Sequence, residues 1–180
     1  MNYPTIFSLL CEEFKRAGIP CALVGGFAVN HHKVTRQTAD VDLMIVDHDY
    51  DKAFEILQGA GYRQFRKQEM FARFEASEKD QVDVDLLFVD QKTLEGILRD
   101  GEKVKIANSE FVVPSLDHLI AMKLHSLKSN PKLRKSRDFL DILELISRNK
   151  LAVRADHFRN LCVKYGSDEI YNEVLRYAEE

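Results

Sequence analysis

Asp40-Val41-Asp42-Leu43-Met44-Ile45-Val46-Asp47 returns almost unchanged as Asp83-Val84-Asp85-Leu86-Leu87-Phe88-Val89-Asp90. Each octet is a run of β-branched and large apolar residues, the composition of a strand. Alternate side chains of a strand share a face. Asp40 therefore projects with Asp42, and Asp83 with Asp85, while Val41, Leu43, Ile45, Val84, Leu86 and Phe88 pack on the other side. Carboxylates at this spacing repel one another unless a cation holds them. Hard Mg²⁺ with oxygen ligands is the ordinary answer where a substrate brings phosphates.

Outward from the octets, Cys21 to Val24 reads as a strand, Gly25-Gly26 as a tight turn and Phe27 to Asn30 as the start of a helix. Glycines there let the backbone approach an anion such as a triphosphate, or serve the turn geometry alone. Helical periodicity covers Thr5 to Ala17, Tyr50 to Gln58 and Lys92 to Arg99. Strand-like stretches lie near Tyr62 to Phe65 and Met70 to Glu75, and a short hairpin turns around Asn108. Beyond Pro114 only helical patterns follow: Leu116 to Leu127, Arg137 to Ser147, Arg154 to Lys164 and Asp168 to Ala178. Between the first two of these, Lys128 to Lys135 reads as a turn with a basic rim. The expected architecture is α+β: a mixed-sheet domain over residues 1–113 and a helical domain over residues 114–180.

Composition narrows the function classes. The 180 residues are 45% hydrophobic, enough for a core, and the net charge of −3 provides no global basic field for nucleic acid. Cys11, Cys21 and Cys162 are odd in number and lack metal-ligand spacing, which favours reduced thiols and a cytoplasmic protein. No run reaches the length of a membrane span, and charged residues break any signal-peptide pattern by Glu12.

Two charges in the helical half stand out. At about 100° per residue, Lys123 falls within the apolar stripe of Leu116, Leu119, Ile120, Leu124 and Leu127. It either snorkels to the rim or points into a cleft as a phosphate ligand. Asp138 lies at the edge of the next apolar face, where it pairs with a base or favours the helix dipole near Ser136. His31-His32 lacks a ligand partner one turn on, so a surface or helix-end role is favoured over metal binding. Phe65, Phe71 and Phe74 interleave with Arg63, Arg66, Lys67 and Arg73, either as a β-hairpin with a solvated basic face or as a surface that stacks on RNA.

Residues 25–45, GGFAVNHHKVTRQTADVDLMI, resemble the first motif of the DNA polymerase β-like nucleotidyltransferase superfamily, in the form GG followed by Arg-x-Thr-x-Asp-h-Asp. The nearest type is the minimal bacterial enzymes, including AbiEii-like toxins. The resemblance implies that Asp40 and Asp42 hold Mg²⁺ and that Gly25 and Gly26 line the triphosphate. Arg36 takes the family's arginine position, with a phosphate or a structural role. The third catalytic and metal-binding carboxylate is Asp85 or Asp83, with Asp85 preferred because Asp-Leu-Leu is a frequent form of that motif. Lys123, followed by Arg137-Asp138 and Asp141, resembles the tail pattern in which the lysine and an acid join the active site; Asp141 is expected to face solvent or a neighbouring helix.

The implied reaction moves NMP from an NTP to an acceptor hydroxyl on a tRNA end, a protein or a small molecule, with release of pyrophosphate. A cognate antitoxin is an implied partner. The alternative is a non-catalytic nucleotide-binding or antitoxin-like protein on the same fold, which the intact acids disfavour.

Overall fold

The computed structural model describes residues 3–77, 81–129 and 131–178. They form two compact units, one of residues 1–28 and 37–114, the other of residues 29–36 and 115–180. The short segment Val29–Arg36 therefore groups with the carboxy-terminal helices.

The first unit opens with α1 (Ile6–Ala17). Thr5 and Ser8 form a reciprocal capping box at its start, and Gly18 ends it in the left-handed region at φ 66°. The chain then runs through β1 (Ala22–Leu23), α2 (Gly25–His31), β2 (Asp40–Val46), α3 (Tyr50–Gly59), β3 (Tyr62–Gln68), β4 (Phe71–Ala76), β5 (Asp83–Val89) and α4 (Gln91–Asp100). A two-stranded hairpin, β6 (Glu102–Ile106) and β7 (Ser109–Val113), closes it. Ala107 and Asn108 at its tip both have positive φ, as a two-residue turn between twisted strands requires.

Five strands make one sheet in the order β1-β2-β5-β4-β3. The two acidic strands lie parallel at its centre, and the remaining pairings are antiparallel. Val41, Leu43, Ile45, Val84, Leu86, Phe88, Ala72 and Phe74 are all buried. Tyr50 and Phe54 of α3 lay their rings against Phe74, and Tyr50 also meets Phe88 edge-on at 5.6 Å. Fully burying one such phenylalanine contributes roughly 1.5–3 kcal/mol. This apolar face fixes the register, because a slip of one residue would turn the carboxylates into the core.

The second unit contains α5 (Leu116–Ser129), α6 (Pro131–Asn149), α7 (Asp156–Tyr165) and α8 (Asp168–Ala178). α5 packs on α6 and α7, and α8 packs on α6 and α7. Leu119, Ile120, Leu124, Leu127, Ile142 and Leu145 form its core. The expected turn over 128–135 is replaced by helix: α5 continues to Ser129 and α6 begins at Pro131. Proline suits the first helical turn, where its missing N–H has no partner to lose. Asn130 lies outside the described residues, and among the described residues no helix is long and apolar enough to cross a membrane.

Candidate active site

The parallel pairing sets Asp40 opposite Asp83 and Asp42 opposite Asp85, so all four acids start from one face of the sheet. Only three converge. Asp40, Asp42 and Asp85 bring carboxylate oxygens within 4.8 Å of one another, the one group of three potential metal ligands among the described residues. Asp83 is drawn toward β4 instead, accepting from Arg73 Nη2 at 2.9 Å and from the Ala76 N–H at 3.1 Å. Arg73 also faces Asp85, with Nη1 3.5 Å from Oδ2.

The double glycine is part of the same construction. Val24 N–H donates to the Asp42 carbonyl at 2.9 Å, tying the end of β1 to β2. Gly25 follows with φ +60°, and a Cβ on it would lie 1.8 Å from Asp42 Oδ2. A Cβ on Gly26 would lie 2.5 Å from Thr38 Oγ1, which donates to Asp40 Oδ1 at 3.2 Å. Both glycines thus make room for the side chains that carry or orient the carboxylates. Thr38, though quoted in the motif, received no role from the sequence; its contact with Asp40 is visible only once the turn is folded.

Asp85 is buried, and its Oδ1 has no hydrogen-bond donor among the described residues. Burial pushes its carboxyl up to about 6; Arg73 opposes the rise, while Asp42, Asp40 and Asp83 add to it. Three converging carboxylates, one of them with a buried oxygen that no donor satisfies among the described residues, are a donor set for a hard divalent cation such as Mg²⁺.

In the helical unit, Lys123 is buried and does not snorkel. Its Nζ donates to Asp141 Oδ2 at 2.5 Å and to Asp138 Oδ1 at 3.2 Å. Asp141, expected at solvent or a neighbouring helix, is buried in α6 and also accepts from Arg36 Nη1. With α6 starting at Pro131, Asp138 sits two turns in, so pairing with Lys123, rather than the helix dipole, accounts for it. Arg36 is further fixed by Asn30, whose side chain exchanges two 2.8 Å hydrogen bonds with the Arg36 backbone.

His31 and His32 stack edge-to-face at 5.1 Å, and the three cysteines are free thiols. The aromatic and basic mixture divides: Phe74 enters the core, while Phe65 stays 60% exposed.

The model of the family described as "Uncharacterised nucleotidyltransferase" matches residues 4–180. No curated protein matches the chain. Among solved structures, an antigenic nucleotidyltransferase-like protein from Paracoccidioides brasiliensis has a TM-score of 0.56 at 18% identity, over 95% of this chain and 90% of that one. ANT(2″)-Ia in complex with adenylyl-2″-tobramycin has a TM-score of 0.55 at 17% identity, over 96% and 93%. The lincosamide antibiotic adenylyltransferase LnuA, lincomycin-bound, has a TM-score of 0.52 at 16% identity, over 75% and 90%. These likenesses establish a shared fold. The chain belongs to the family of uncharacterised nucleotidyltransferases, and its fold is the polymerase β-like one that its first motif implied.

Proposed function

We propose that the protein transfers a nucleoside monophosphate from an NTP to an acceptor hydroxyl at Asp40, Asp42 and Asp85. The observation that supports this reading best is the convergence of three carboxylates from two parallel strands, with Asp85 keeping a buried oxygen that has no donor among the described residues. Asp40 and Asp42 would hold Mg²⁺, whose charge neutralises phosphate oxygens and activates a hydroxyl when it is bound.

Asp85 is the group that accepts the proton of the attacking hydroxyl, as the one buried carboxylate of the three, with an oxygen that no donor among the described residues holds. The acceptor oxygen forms a bond to the α-phosphorus, the bond from that phosphorus to the bridging oxygen breaks, and pyrophosphate leaves with the electron pair. Gly25 and Gly26, bare against Asp42 and Thr38, offer backbone that a triphosphate can approach closely. The nucleotide roles that the resemblance implies for Arg36, Lys123 and Asp138 belong to the same proposal. So do an AbiEii-like toxin activity and its cognate antitoxin.

The test is incubation of the purified protein with Mg²⁺, each α-labelled NTP and whole-cell extract, following pyrophosphate release and the fraction that takes up label. Transfer that stops on chelation and in Asp40→Asn is expected. An absence of both NTP binding and pyrophosphate release with every NTP would overturn the proposal.

A further inference from the structure

The carboxylate face of the sheet does not end at β5. Asp42 pairs with Asp85, Asp85 with Arg73 on β4, and Arg73 with Arg66 on β3. Directly opposed residues share a face. A single row therefore runs from acid to base over two further strand spacings of about 4.8 Å each. Arg73 is held by Asp83 and Asp85. Arg66 is exposed and makes no ion pair among the described residues. Asp83 and Asp85 compensate the charge of Arg73, which leaves Arg66 as the cation of this row open to an anion. Beside them, the register shift between Gln64 and Arg66 leaves Phe65 as the extra residue of the edge strand, 60% exposed.

Sidedness assigns this row a substrate. β1 and the glycine turn flank the acidic strands on one side, and β4 and β3 flank them on the other. In-line displacement at phosphorus needs the leaving pyrophosphate and the attacking hydroxyl on opposite sides. With the triphosphate at the glycines, the acceptor enters over β4 and β3. Resting on the nucleotidyl-transfer reading, we propose that the acceptor is the 3′ end of a single-stranded polynucleotide. Its terminal hydroxyl lies at Asp85, an upstream phosphodiester lies on Arg66, and a base stacks on Phe65. Guanidinium groups suit phosphodiesters, and an exposed aromatic suits unpaired bases.

The test uses the full chain and a 5′-fluorescein RNA of about 12 nucleotides, within the span that single-strand binders cover, and its DNA counterpart, followed by anisotropy without metal or NTP. Arg66→Gln is expected to weaken binding about tenfold and to flatten the dependence of log K on log salt by about 0.7, one single-strand phosphate contact. Phe65→Ala is expected to weaken it about as much. Arg99→Gln, an exposed arginine of α4 paired with Asp100, removes the same charge elsewhere and should bind like wild type.

Wild-type affinity in both Arg66→Gln and Phe65→Ala, an equal loss in Arg99→Gln, or capture of polyglutamate in place of the oligonucleotides overturns the inference. Calorimetry with Mn²⁺ and each of the four NTPs separates the two levels. Binding of any NTP without oligonucleotide binding overturns only the acceptor, and no binding of any NTP overturns the transfer reading together with it.

Discussion

Replacing Asp85 by asparagine should make the metal-free protein more stable at pH 8 while removing its response to metal. Burial and the acids around it hold the folded-state carboxyl at about 6, above its ordinary 3.8. A carboxyl raised in the folded state penalises folding at pH values above its unfolded pKa. The penalty grows as pH rises from about 4 to about 6 and is constant beyond that. Its full size is roughly 3 kcal/mol, the free-energy equivalent of that displacement, taken as an upper value because Asp85→Asn also gives up the 3.5 Å approach of Arg73. Urea unfolding in EDTA should therefore show Asp85→Asn more stable than wild type by about 1–3 kcal/mol at pH 8, shrinking to about half at pH 5. Adding Mg²⁺ or Mn²⁺ at pH 8 should raise the midpoint of wild type and leave the variant where it was. An Asp85→Asn protein no more stable than wild type at pH 8, or a difference that does not change with pH, would refute the placement of an ionised, strained carboxylate at this position.

Three further outcomes follow from the same geometry. Asp40→Asn and Asp42→Asn should each abolish NMP transfer with an unchanged circular dichroism spectrum; wild-type turnover in either removes that residue from the centre. Gly25→Ala places a methyl where Asp42 Oδ2 lies and costs on the order of 1–2 kcal/mol for the left-handed backbone alone, so metal titration should show weakened binding. Lys123→Met leaves Asp138 and Asp141 buried without their ammonium and should destabilise by about 3–5 kcal/mol, whereas Lys123→Met with Asp138→Leu should recover part of the loss in thermal melts.

The acidic octets and the glycine turn were readable in the sequence because local rules decide them: alternation placed Asp40 beside Asp42, and the apolar faces of Val84, Leu86 and Phe88 fixed the second strand. The choice between Asp83 and Asp85 was not readable. It is made by Arg73, a cross-strand neighbour on β4 whose register no local pattern announces. The polar run Tyr62–Gln68 carries no alternation of hydrophobicity, so only its first half read as strand, yet pairing with β4 holds it extended throughout. Of the two positions expected for Asp141, solvent or a neighbouring helix, it takes the second, facing Lys123 of α5. Periodicity assigns a charged residue beside an apolar stripe to the surface, whereas Lys123 and Arg36 arrive from α5 and from the loop before β2 to keep it inside.

The grouping of Val29–Arg36 with the helices bears on how such a protein can be cut or recombined. A break at Pro114 does not release two self-sufficient pieces. The amino-terminal fragment would carry Arg36 without Asp141, and the His32 carbonyl without the Asn149 amide that donates to it at 2.9 Å. Those stranded groups belong to the very link that joins the glycine turn to the first acidic strand. A chimera that exchanges the helical half between homologues would therefore need two segments transplanted together, and a library built on a single crossover should yield insoluble products wherever the donor lacks the matching pair.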